Sequence, residues 1–252
     1  MRAVVVVAFA VMVAVNGVAG ATTWLGGAQT GEVSDALPST FTPAGYAFSI
    51  WSLIYLLLLG FVIAQFRDRD GLERLRRLFV ASCVLNVAWL LAWQYRVLWL
   101  SVLVMVALLA VLALCWTLAR SIAAAGADQL WLRIPFSVYF GWISVATLAN
   151  ITAWLVASVE GWFRGVEFGW TCVALAIGLA AASLVVLRTG DRAYLAVIIW
   201  AFVAIIVANA SDASTRPAAI AAGVAVAALL ALAALNEHRL ATGRVPARAG
   251  VG

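Results

Sequence analysis

The chain has 252 residues, of which 66% are apolar and only 11% charged, and it carries a net charge of +5. A water-soluble domain of that length cannot bury so much apolar surface, and unbroken apolar runs of about twenty residues exclude a β-barrel, whose short strands alternate. The sequence therefore predicts an all-α, polytopic transmembrane helix bundle, an integral multi-pass membrane protein.

Eight spans are predicted, at about 4–22, 43–66, 78–95, 98–119, 131–157, 167–187, 193–209 and 217–235. The first, with Arg2, an apolar core and the small residues Gly17 to Ala21, also has the make-up of a secretory signal. It is read as a retained helix, with cleavage the alternative. Pro43 opens the second span, where Phe48, Trp51 and Tyr55 recur at three- and four-residue steps on one face. Such a stripe either packs against a neighbour or lines a site.

The third span carries Asn86, Trp89 and Trp93 at the same kind of spacing, and only Tyr95, Arg96 and Val97 separate it from the fourth. In the fifth span Trp142, Ala146, Asn150 and Trp154 form an i, i+4 row. A buried Asn needs partners, because an unsatisfied amide in hydrocarbon costs several kcal/mol. Asn86 and Asn150 either bond each other or a backbone carbonyl, joining helices at about 1 kcal/mol, or serve as polar handles in an aromatic-walled pocket for a flat, mostly apolar ligand.

All sixteen basic side chains are arginine. With eight spans, thirteen of them (Arg2, Arg67, Arg69, Arg74, Arg76, Arg77, Arg120, Arg133, Arg188, Arg192, Arg239, Arg244 and Arg248) fall on one side, against Arg96, Arg164 and Arg216 on the other. The positive-inside rule then places both termini in the cytoplasm. The net charge describes loops facing an anionic leaflet, not a nucleic-acid surface. The cluster at 67–77 is interleaved with Asp68, Asp70 and Glu73, as in a short solvated connection, and has no aromatics for base stacking.

Familiar soluble-enzyme chemistry is absent. Cys83, Cys115 and Cys172 lie within spans without CxxC spacing, and the single histidine, His238, sits in the tail. No metal site or Ser-His-Asp arrangement can be built from these. No cofactor is required by any motif.

Three segments resemble the TspO/MBR family of translocator proteins, or tryptophan-rich sensory proteins. Pro43, Phe48, Ile50-Trp51 and Tyr55 are similar to the family's second helix, and Asn86-x-x-Trp89 to its third. Trp142-x-Ser144-x-Ala146-Thr147-x-x-Asn150-x-x-x-Trp154 matches its fifth at every fixed position. The resemblance covers roughly residues 1–157 and implies a five-helix core, followed by three added helices over 158–235 and a cytoplasmic tail over 236–252. It also implies a tetrapyrrole (porphyrin or haem) or other flat apolar ligand, with Trp51, Tyr55, Asn86, Trp142, Ala146 and Asn150 as ligand-binding residues. The loop at 23–42 corresponds to the family's lid, and Arg96 would meet a ligand's propionates.

Some departures bear on the ligand. Phe48 to Trp51 is one residue short of the family's spacing, Pro135 lies about one turn farther from Trp142, and the lid's paired prolines are reduced to Pro38 and Pro43. No Tyr followed by Arg or Lys comes after the fifth helix, so cholesterol binding is not expected. In the added helices Gly178, Ala182 and the Ala222–Ala225 stretch offer small-residue faces for packing. This flank stands where shorter relatives make a dimer contact, and a homodimer is the other arrangement. Three functions are compatible with the sequence: a ligand-binding sensor, favoured here; a transporter of amphipathic molecules; and a light-dependent tetrapyrrole-degrading enzyme. The first needs no catalytic group, and none is identified.

Overall fold

In hydrocarbon a backbone N–H or C=O has only its own segment to bond, so each apolar run folds as a helix. The computed structural model describes residues 1–67, 70–123 and 129–241. It contains α1 (Arg2–Ala21), α2 (Thr30–Asp35), α3 (Ile50–Ala64), α4 (Leu72–Gln94), α5 (Leu98–Ala123), α6 (Gln129–Leu132), α7 (Ile134–Thr189), α8 (Arg192–Asn209) and α9 (Arg216–Ala241). Among the described residues there is no strand, and seven helices are long and apolar enough to cross a membrane. Asp68, Arg69, Arg244, Arg248 and the tail beyond residue 241 lie outside the described residues.

The 56 residues of α7 would reach about 84 Å if straight, against a hydrocarbon core of about 30 Å. They fold back instead. Val159 leaves helical geometry (φ −144°, ψ 43°). Trp170 Nε1 then donates to Thr152 Oγ1 at 2.8 Å, and Ser137 Oγ donates to Asp191 Oδ2 at 2.6 Å. Those pairs meet only if the second arm runs back along the first. α7 therefore has two antiparallel arms, each long enough to cross, and among the described residues the bundle offers eight crossings. The predicted loop between the fifth and sixth spans is nearly all helix, because Arg164 pairs with Glu160 at 3.6 Å and with Glu167 at 2.9 Å along its surface.

An even number of crossings brings both described ends to one face. Gln65 Nε2 donates to the Arg2 carbonyl at 3.2 Å, and Arg192 pairs with Glu237 at 3.2 Å. The connection between α3 and α4 is not wholly solvated as expected. Arg76 is buried: its Nε donates to Gln65 Oε1 at 3.0 Å, one Nη to the Gln65 carbonyl, and the other to Glu73 at 3.3 Å. Inward-facing Leu72, Leu75 and Phe79 extend α4 to Leu72 rather than to residue 78. Pro43 precedes α3 instead of opening it, since Ala44 is extended and a 3₁₀ turn over Gly45–Ser49 leads in.

At the same face Asp191 caps α8. Its carboxylate accepts from Ser137 Oγ, from Trp116 Nε1 at 2.8 Å, from the Tyr194 N–H at 3.2 Å and from Arg120 at 3.3 Å. Burial pushes its pKa up, but the Ser137, Trp116 and Tyr194 bonds and the charge of Arg133 outweigh that and hold it below the ordinary carboxylate range.

At the opposite face α4 turns into α5 through Arg96 in the left-handed region (φ 56°). The Val97 N–H bonds Ala92 O at 2.9 Å and the Arg96 N–H bonds Trp93 O at 3.0 Å, a Schellman closure that needs no extra residues. The three C-terminal crossings pack through small residues. A Cβ on Gly178 would stand 2.8 Å from Phe202 Cζ, and Ala182, Ala222 and Ala225 are buried.

Candidate functional site

Trp51 is the hub of an aromatic cluster. Tyr55, one turn along α3, stacks on it at 5.7 Å, and Trp89 of α4 lies on it nearly parallel at 6.2 Å. Trp93 continues that column beyond Trp89 at 6.2 Å. Trp142 meets Trp51 edge-on at 6.4 Å and Phe48 edge-on at 6.0 Å. All are favourable separations for ring pairs.

Above this cluster lies a cavity. Its walls include Phe48, Trp51, Trp89 and Trp93, and α7 contributes Trp142, Val145, Ala146, Ala149, Asn150 and Ala153. Met105 closes the α5 side, and Thr30, Ser34, Leu37, Thr42 and Pro43 form a roof. The free space is about 50 Å³, room for a few waters. Drug-sized ligands occupy about 300–1,000 Å³, so a macrocycle enters only if the roof lifts or the rings part.

Of the residues singled out from the sequence, Trp51, Trp142, Ala146 and Asn150 line this cavity. Tyr55 and Asn86 do not. Tyr55 backs Trp51, while Asn86 sits within a polar chain: Asn16 Nδ2 donates to its Oδ1 at 2.7 Å, and its Nδ2 donates to Tyr139 Oη at 2.9 Å. The two asparagines do not bond each other. Asn150 Oδ1 accepts from Ser101 Oγ at 3.0 Å. Arg96 is exposed and lies outside the lining. Trp89, Trp93 and Met105 join the site without having been assigned to it; for the two tryptophans, the shared face with Asn86 was the available signal, while Thr30, Ser34, Leu37 and Thr42 of the roof fall within the loop expected to act as a lid.

The roof is fastened at both ends. Gln94 Nε2 donates to Ala28 O at 2.9 Å and to Leu25 O at 3.2 Å, and Trp93 Nε1 donates to Thr30 O at 3.3 Å. At the other end Thr40 is held by the C-terminal helices. Its N–H donates to Glu167 Oε1 at 2.6 Å, its hydroxyl bonds Thr171 Oγ1 at 2.7 Å, and its carbonyl accepts from Asn209 Nδ2 at 3.0 Å. Arg164 adds a bond to Pro38 O at 3.1 Å.

Gly26, in the roof's first turn, has φ 69°, and a Cβ there would stand 2.2 Å from Gln94 O. Gly26→Ala carries about 1–2 kcal/mol of left-handed strain before that clash is counted. Limited proteolysis of residues 22–44 is expected to quicken several-fold in this variant, with little change in bundle melting. Unchanged cleavage would show that the turn absorbs the methyl.

A second groove, of about 360 Å³, lies between α3, α7 and α8. It is larger, but Ser49 is the one hydroxyl in an otherwise hydrophobic wall, and Leu53 and Trp200 open it outward. A lipid chain satisfies such a wall, whereas the first cavity combines stacked rings with polar groups. The first is the stronger candidate.

A family model described as TSPO-like protein matches residues 2–235, and so runs through the three C-terminal crossings as well. No curated protein and no solved structure matches the chain.

Proposed function

The chain belongs to the TSPO-like protein family, and from that premise we propose that it binds a flat, largely apolar ligand of the porphyrin type within the membrane. The supporting observation is the roofed cavity in which Trp51, Trp89 and Trp142 present their rings beside Asn150. The ligand lies along the Trp51–Trp89–Trp93 column after the roof lifts, with Ala146 and Ala149 leaving space opposite. Both termini face the cytoplasm, in keeping with the arginine-rich face on which Arg2, Arg76, Arg120, Arg133 and Arg192 gather.

A dark titration of purified protein with protoporphyrin IX, followed by absorbance and tryptophan quenching, tests this reading. Saturable binding is expected, weakened about tenfold by Trp142→Ala, or ~1.4 kcal/mol for one stacking ring. No saturable binding, or binding indifferent to the substitution, overturns it. Illuminating the same samples addresses the enzymatic alternative, since loss of porphyrin absorbance that requires Trp51 or Trp142 would mark breakdown rather than sensing.

A further inference from the structure

The second groove shares no residue with the aromatic cavity, and its occupant is a separate question from the porphyrin reading. Its shape has a direction. One end is shut: Trp200 Nε1 donates to Ala47 O at 3.3 Å, and Tyr46 meets the Trp200 ring edge-on at 5.2 Å. From there the walls follow α8 through Val197, Ala196 and Ala193, and α7 at Val138, toward the arginine-rich face. Leu53 and Ala196 are exposed, so the trough opens sideways to hydrocarbon. From Arg192 to Trp200 α8 rises about 12 Å, while one leaflet's half of the hydrocarbon core is about 15 Å deep. A chain anchored at the arginine-rich face therefore reaches the shut end. On α3, Gly60 lies two turns beyond Leu53 on the same face, and a Cβ there would run into the Trp131 ring. The glycine lets that exposed indole lie against α3, and exposed Trp belongs at headgroup level.

The charges at this end favour an anion. Arg192 adjoins Ala193 and is 77% exposed, and its ion pair with exposed Glu237 at 3.2 Å is a surface pair of little strength. Arg133, just before α7, is 30% exposed, and Asp191 Oδ2 stands 4.0 Å from its Nε, beyond hydrogen-bonding distance. That carboxylate already accepts from Ser137, Trp116, Tyr194 and Arg120. Both guanidiniums thus keep N–H donors to offer, in the fork that phosphate fits. The N-terminal dipole of α8 acts in the same sense. We propose that the groove holds an acyl chain of an anionic phospholipid from the leaflet at the arginine-rich face, with its phosphate bound by Arg133 and Arg192. α8 supplies both a wall and Arg192, so the site belongs to the added C-terminal crossings.

The test titrates delipidated protein in detergent micelles with dioleoylphosphatidylglycerol, dioleoylphosphatidylcholine or cholesterol, and counts bound lipid by native mass spectrometry. Phosphatidylglycerol is expected to fill one site at least about tenfold more tightly than phosphatidylcholine, since each arginine near the headgroup contributes roughly a factor of five. Arg192→Gln should weaken phosphatidylglycerol about fivefold and leave phosphatidylcholine within about twofold. Arg216→Gln, an equal loss of charge at the opposite face, should change neither. Ala196→Phe fills the trough and should abolish the tight site.

Equal affinity for the two phospholipids, or a preference for cholesterol, overturns the proposal. So does an anionic preference that Arg192→Gln leaves intact, or that Arg216→Gln lowers as much. Tight binding unchanged in Ala196→Phe overturns the groove as its place, and a dimer that Ala196→Phe dissociates makes the occupant a second copy of the chain instead. The wild-type comparison needs no variant to fold.

Discussion

Asp191→Ala is expected to destabilise the protein by about 3–5 kcal/mol, as does breaking a buried ion pair elsewhere. The carboxylate is 2% exposed and joins four parts of the chain. Trp116 and Arg120 reach it from α5, Ser137 from α7, the Tyr194 N–H from α8, and Arg133 from the turn before α7 at 4.0 Å. Alanine takes the acceptor from all of them and also removes the α8 cap. Unfolding in mixed micelles with increasing denaturant should show the loss. A midpoint within experimental error of the wild type would mean that water replaces the carboxylate.

The same residue sets an acid limit. Its folded-state pKa lies below that of the unfolded chain, so folding favours the ionised form. That contribution is complete above the ordinary carboxylate value of about 4 and is lost as pH falls through the lower folded value. Asp191→Asn should flatten this part of the stability profile, and a variant with an unchanged acid limb would place the limit elsewhere.

Glu167→Ala is expected to release the roof. Glu167 is 11% exposed, accepts the Thr40 N–H, and is paired with Arg164. A hydrogen bond to a charged group contributes about 1.5–3 kcal/mol, so roof opening should become at least about tenfold more frequent. Hydrogen exchange of residues 38–44 should speed accordingly, and porphyrin association in the dark with it. Thr40→Val, which removes only the hydroxyl bond to Thr171, should do the same to a smaller extent. Exchange unchanged in both variants would show that Phe41, fully buried, holds the roof by packing alone.

The helical bundle was legible because hydrocarbon leaves the backbone no alternative, and the eight predicted spans correspond to the eight crossings. Their joints were less legible. Residues 158–166 look like a loop by composition, yet their charges pair along one helical surface and only Val159 breaks. Arg76 resembles its exposed neighbours in sequence, and nothing local shows that Gln65 will enclose it.

Within the candidate site, the segment from Trp142 to Asn150 carried most of the information, but the straight i, i+4 row misdirects toward Trp154. Each four-residue step advances about 40° around the helix, so by Trp154 the row has turned about 120° from Trp142. That ring is 37% exposed, and Ala149 and Ala153 hold the lining instead. Asn86 shows the same limit. Its spacing from Trp89 places it on a shared face, whereas its bonds depend on Asn16 and Tyr139, residues distant in sequence.

Thr40 gives its N–H, its hydroxyl and its carbonyl to the second half of the chain, and this has a thermodynamic corollary. If an occupant is admitted only with the roof raised, occupancy and the docking of α7 and α8 against the roof share one coupling free energy. Linkage is reciprocal: whatever factor the ligand applies to that docking, the docking applies to the ligand's affinity. Whatever loosens α7 and α8 from Thr40 would then change the affinity of such an occupant without touching the cavity lining.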